Sequence, residues 1–196
     1  MKRENMRMKP KNGDDLDSER EIIKRAKKNI GDFDMLYEMY FPKINNFVYH
    51  RVYDDAVKNE IVSNVFFKAM KKLNLFRFLD SKKCTFSSWL YRIAVNEINQ
   101  YFRDRKRDRT LVDKFINKQP DKGDPVIDFK IVKQKMTVLS TEEQNLIALK
   151  YFEKLKHKEI SEIYKISESN VKVRLHRAMK KLRYELKDEV SYGKVG

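Results

Sequence analysis

The chain has 196 residues, enough for one domain or two small ones. Its 44 Lys and Arg against 29 Asp and Glu leave a formal net charge of +15, which favours an extended polyanion as partner, nucleic acid first and an anionic membrane surface second. One cysteine and three scattered histidines rule against an internal disulfide or a zinc site. Apolar runs of only a few residues argue against a signal peptide or a membrane span, so the expectation is a cytoplasmic protein with no membrane insertion.

Hydrophobic content of 41% and aromatic content of 12% supply folded cores, while five glycines and four prolines leave little strand or hairpin punctuation. The expected fold class is therefore all-α, as two small helical domains joined by a flexible linker. Residues 1–17 are polar and aperiodic, and read as a disordered basic extension. Helical patterning starts at Ser18 and continues to 112. Ile22, Ile23 and Ala26 come first, then Phe33, Leu36, Tyr37, Tyr40 and Phe41. Pro42 interrupts briefly, and further stripes run through Ile44, Phe47, Val48 and Val52 and through Ile61, Val65, Phe66, Ala69, Met70 and Leu73. Together they make a helical-bundle core.

After an irregular stretch from Leu75 to Ser87, the helix opening at Ser88 carries two distinct faces. Leu90, Ile93, Ala94, Ile98 and Tyr101 form a buried stripe, whereas Trp89, Arg92, Asn96, Asn99 and Arg103 follow another face at steps of three, four, three and four. An aromatic, two guanidinium groups and two amides can stack on an unpaired base, bond its edge and neutralise phosphates, the three tasks of single-strand recognition. Trp89 can equally pack in a core, leaving an ordinary polar helix face. The charge run from Arg103 to Arg109 suits a phosphate-contacting helix end or a solvated one. Two prolines and a glycine then place a linker at 113–130.

The second unit, 131–188, opens a helix with the capping box Ser140-Thr-Glu-Glu143 and carries Leu146, Ile147, Leu149 and Tyr151 on it. From His157 two short helical patterns meet at a tight turn, the second capped by Ser167 with Glu168 in its first turn. Val171, Leu175, Ala178, Leu182 and Leu186 face inward. Lys172, His176, Arg177, Lys180 and Arg183 lie mostly opposite. That is a helix-turn-helix with a cationic face suited to the major groove, although a solvated surface helix has the same composition. Residues 189–196 are a tail.

In order and spacing, Phe33-Asp-Met-Leu-Tyr37, Glu60 to Ala69 and Phe86 to Asn96 resemble region 2 of the bacterial sigma-70 RNA polymerase sigma factors. Leu139-Ser, Leu149-Lys-Tyr151, Glu159-Ile-Ser, Ile166-Ser and Val171 to Ala178 resemble region 4. With no room for region 3 between them, the chain resembles the small extracytoplasmic function (ECF) class. The resemblance implies no enzyme activity and no cofactor, but a factor that joins core RNA polymerase, binds promoter DNA both as duplex and as single strand, and is held by an anti-sigma factor. It places polymerase docking on Glu60, Asn64 and Phe67, with Ser63 and Asn64 standing where the family has glutamine and glutamate.

The resemblance also assigns capture of a flipped minus-10 base to the 78–86 loop and Asn96, flanked by Trp89 and Arg92. Groove contacts at minus-35 fall to Lys172, Val173, His176 and Arg177, with Arg177 able to pair bidentately with guanine. Phosphate contacts fall to Arg174, Lys158, Lys180, Ser169 and Asn170. The alternative function is a one-component helix-turn-helix regulator, which would dimerise on two half-sites and need no single-strand pocket. A nuclease lacks its clustered carboxylates, and an adaptor protein would need no cationic reading face.

Overall fold

The structure, a computed structural model, describes residues 14–77, 85–112 and 135–192. The expected linker at 113–130, positions 1–13 of the extension, 78–84 of the capture loop and 193–196 of the tail lie outside the described residues. Among the described residues all regular structure is helical.

Helix α1 spans Asp14–Lys28, beginning four residues before Ser18. Arg25, Lys27 and Lys28 stand in its last turn, favourable to the helix dipole. A 3-10 turn at Ile30–Asp32, held by Asn29 accepting from the Gly31 amide at 3.2 Å, leads into α2, Phe33–Val52. Pro42 does not break α2. The proline forfeits one backbone bond, while Tyr40, Ile44, Phe47 and Val48 are all buried and hold the helix on its neighbours. Tyr53, at φ 52°, ends it. Asp54 then caps α3, Asp55–Lys72, by accepting from the Val57 amide at 3.0 Å. After a 3-10 turn at Leu73–Leu75 and the gap in the described chain, α4 runs over Phe86–Val112.

The first core collects Ile23, Leu36, Ile44, Phe47, Val65, Leu73, Phe76, Phe86, Leu90 and Ile98, each essentially without solvent contact. In the second unit the Ser140 hydroxyl accepts from the Glu143 amide at 3.2 Å while the Glu143 carboxylate accepts from the Ser140 amide at 2.9 Å. This reciprocal cap opens α5, Thr141–Ile147. The helix then widens into a π turn at Ala148–Phe152, burying Leu149 and leaving Tyr151 half exposed. Helix α6, His157–Tyr164, ends at Lys165, φ 54°, and α7 covers Glu168–Tyr192, so 189–192 of the expected tail are helical. The Ser167 hydroxyl accepts from the Asn170 amide at 3.2 Å, capping α7 as expected. Val171, Leu175, Ala178 and Leu182 are buried against α5 and α6, with Leu186 partly so.

The two units are in contact. Helix α4 packs on α2 and α3 with one side and on α5 and α6 with the other, and the end of α2 meets the π turn.

Candidate nucleic-acid interface

Two surfaces answer to the nucleic-acid residues expected from sequence, and they differ in how open they are. On α7 the buried stripe fixes the helix, and Ser169, Asn170, Lys172, Val173, His176, Arg177 and Lys180 all lie on the exposed side. Val173 keeps 46% of its surface, enough for an apolar contact within a groove. Arg174 is set apart: its guanidinium binds the Glu142 carboxylate and the Asn170 side chain, the latter at 2.9 Å, so it braces α7 against the start of α5. Lys181 does the same through Glu143 at 2.5 Å. At the turn, burial together with Lys150 and Lys172 holds the His157 imidazole below its ordinary pKa, so it stays neutral at pH 7.

The five expected residues of α4 do not share one environment. Trp89 is half-buried, with its ring against Phe76 at 5.2 Å and Phe86 at 5.4 Å, an aromatic cluster closing the end of the first core. Asn96 and Arg103 are exposed, Arg103 bonding Gln100 one turn back at 2.7 Å. Arg92 and Asn99 face the second unit. The Arg92 guanidinium donates to the backbone carbonyls of Ile163 at 3.0 Å and Glu162 at 2.5 Å, a cation set on the negative end of α6. Asn99 accepts from the Asn145 side chain at 2.9 Å.

Around that last contact the seam between the units holds two buried polar residues, Arg51 and Asn145. Arg51, only 3% exposed, donates to Asn145, which is fully buried, and to Gln144 at 2.7 Å, and lies over the Phe102 ring at 5.3 Å. None of these groups is an anion. Burial pushes the Arg51 guanidinium down to about 10, still fully charged at pH 7, and its Nη2 finds no partner. Further along, Glu153 accepts from the Tyr91 hydroxyl at 2.7 Å and from the Asn46 side chain at 2.6 Å. Burial raises the Glu153 carboxyl above its ordinary pKa against the pull of those donors. His50, kept below its usual value by burial, stacks on Phe152 at 4.1 Å.

Sequence reasoning passed over Arg51 and Asn145. A signal existed for Arg51: it follows Ile44, Phe47 and Val48 at helical spacing, on the apolar stripe where an arginine must find a buried partner. Asn145 gives none, being one amide beside a hydrophobic run.

On α3, Glu60 and Asn64 are exposed and border a cleft with Gln100, Tyr101 and Asp104 of α4. Phe67 holds 51% of its surface open, with the Lys71 ammonium 4.4 Å from its ring centre. An exposed phenylalanine beside acidic and amide groups suits a protein partner better than a polyanion.

A compact aromatic bundle joined to a helix-turn-helix with a free cationic face defines a two-unit DNA-binding protein of the transcription machinery. Residues 36–108 match the family described as Sigma-70 region 2, and residues 130–182 match Sigma-70, region 4. The chain is 30% identical over 164 residues to the RNA polymerase sigma factor YlaC of Bacillus subtilis, covering 80% of this chain and 90% of that one. It is 29% identical over 182 residues to the ECF RNA polymerase sigma factor SigW of Bacillus subtilis, covering 85% and 95%. In fold it is similar to the sigma factor RpoE of Bartonella quintana, solved with the anti-sigma factor NepR, at a TM-score of 0.62 and 20% identity over 80% of this chain and 97% of that one. The chain belongs to the sigma-70 family of RNA polymerase sigma factors, in its ECF group. Its function is that of a transcription initiation factor. Among the described residues no helix is long and apolar enough to cross a membrane.

Proposed function

We propose that the chain grips a promoter at two points: α7 reads the minus-35 duplex, and the polar face of α4 holds the displaced minus-10 strand. The observation that carries this is the division of α7 into a buried stripe, Val171, Leu175, Ala178 and Leu182, and an exposed face bearing Lys172, Val173, His176, Arg177 and Lys180. A helix held that rigidly can enter the major groove without losing its footing. Arg177 pairs with a base edge, while Ser169, Asn170, Lys158 and Lys180 hold phosphates. On α4, Asn96 supplies the edge hydrogen bonds that offset the unstacking of a flipped base, Arg92, Asn99 and Arg103 line the strand's path, and Trp89 shapes the pocket wall. Glu60, Asn64 and Phe67 dock core RNA polymerase.

The chain divides into a strand-capture unit at 18–112, a linker at 113–130 and a duplex-reading unit at 131–188, between an extension at 1–17 and a tail at 189–196. It catalyses no reaction itself, works in the cytoplasm and is regulated by an anti-sigma factor. Support for that last point comes from the sigma factor RpoE of Bartonella quintana, of like fold, which was solved with the anti-sigma factor NepR.

Reconstituted with core polymerase, the chain is expected to direct initiation from a subset of genomic promoter fragments. Arg177→Ala should weaken minus-35 binding by about 1–3 kcal/mol, read by footprint titration. Asn96→Ala should lower permanganate reactivity of the minus-10 strand while the upstream footprint persists. Normal opening in Asn96→Ala would remove that residue from the pocket. Tight dimeric binding to a palindrome without stimulation of polymerase would overturn the whole assignment in favour of a one-component regulator.

A further inference from the structure

We propose that Glu142 on α5 is a positioning residue for duplex reading, which rests on α7 being the helix that reads duplex. Glu142 holds the Arg174 guanidinium off the DNA backbone and, through that guanidinium, turns the Asn170 side chain so that its amide nitrogen faces the DNA. Three groups on two helices form one chain. The Glu142 carboxylate accepts from Nη1 of Arg174, and Nε of the same guanidinium donates at 2.9 Å to Oδ1 of Asn170, one turn back on α7. The Asn170 backbone amide is already given to the Ser167 hydroxyl at 3.2 Å, so Asn170 has only its side chain to offer a phosphate. With Oδ1 engaged, the group left over is the Nδ2 amino, a donor that a phosphate accepts. The reversed amide would set its oxygen against the phosphate and be repelled. Arg174 therefore decides which end of Asn170 meets the DNA, and Glu142 decides where Arg174 stands.

As a brace alone the pair does little. The Arg174 and Glu142 side chains are 38% and 48% exposed, and an ion pair that open to water adds little to stability. Lys181 and Glu143 already tie the same two helices at 2.5 Å. The Glu142 pair differs in reaching a side chain of the reading face. Arg174 stands between Asn170 and Arg177 at steps of four and three, beside the groove that Arg177 and Lys180 also line. Released there, its planar fork binds a phosphate as it binds a carboxylate. Glu142 occupies it instead, and so removes one sequence-blind contact from the reading face.

The test measures binding of the full chain to a fluorescent random-sequence duplex across a salt series. Each phosphate neutralised by a cation adds about 0.9 to the slope of log affinity against log salt. Glu142→Gln keeps the size and removes the charge. It is expected to steepen the slope by about 0.9 as the freed Arg174 takes a phosphate, and adding Arg174→Met should return the slope to that of the native chain. Arg174→Met alone should leave the slope unchanged. Loss of a mere brace would weaken binding without moving the slope. Asn170→Ala should weaken binding about two- to tenfold in the native chain, and by less in Glu142→Gln, where nothing turns the amide. An unchanged slope in Glu142→Gln would overturn the proposal. So would a slope about 0.9 shallower in Arg174→Met alone, which would put Arg174 on a phosphate in the native chain. Lys180→Ala separates these results from failure of the reader itself: a shallower slope there keeps α7 on the duplex whatever Glu142 does, and an unchanged one removes α7 from the duplex and the proposal with it.

Discussion

Helices α4 and α7 are built alike, each with an apolar stripe on one side and cationic and amide groups on the other, yet they end in opposite situations. The polar side of α7 faces solvent, with Lys172, His176, Arg177 and Lys180 all exposed. The polar side of α4 is divided between solvent, at Asn96 and Arg103, and the second unit, at Arg92 and Asn99. Amphipathic pattern therefore decides which side of a helix meets its own core. It does not decide whether the other side meets water, because a polar face can be covered by polar groups at little net gain or loss.

Three substitutions break or sharpen this contrast. The largest effect is expected from Leu175→Ala, which empties a buried site in the second unit and should cost that unit about 2–5 kcal/mol. Amide exchange should then rise in α6 and α7 with α2 and α3 still protected, duplex binding should fall, and Arg92 should be uncovered. Arg51→Met comes next. A buried cation replaced by an apolar chain of similar length is often neutral or stabilising, by up to about 1–4 kcal/mol. Thermal stability should hold or rise; a loss of stability would mean that Arg51 supports the seam rather than strains it. The smallest is Lys165→Gly. Lys165 sits at φ 54°, where a side chain costs about 1–2 kcal/mol that glycine avoids, less about 1 kcal/mol of added chain entropy. A stability change within about 1 kcal/mol in chemical denaturation is expected.

Much of the fold was legible because burial in helices leaves a periodic mark. Most stripe residues on α2, α3, α4 and α7 are buried where the spacing puts them, although Tyr37 keeps 40% of its surface and Ile93 and Tyr101 are only partly buried, and the Ser140 and Ser167 caps form as their residue types dictate. Pro42 suggested a division that α2 does not have, since packing on both sides of the proline outweighs one lost bond. Tyr91 and Val95 are buried outside the expected stripe because α4 is packed on two sides, which one stripe cannot announce. Of the candidate site, the free face of α7 was readable from charge and spacing. The covering of Arg92 and Asn99 was not, since it depends on Asn145 and two backbone carbonyls that are distant in sequence and carry no charge. The Trp89 ring could be read either as a stacking platform or as core, and it packs on Phe76 and Phe86.

The central claim, that α7 reads the minus-35 duplex while the polar face of α4 holds the displaced minus-10 strand, is tested most directly by footprinting the Arg177→Ala and Asn96→Ala holoenzymes side by side on one promoter. Loss of the upstream footprint is predicted for Arg177→Ala, and loss of minus-10 permanganate reactivity with the upstream footprint intact for Asn96→Ala. The same signal lost in both variants, or neither signal lost in either, would contradict the account.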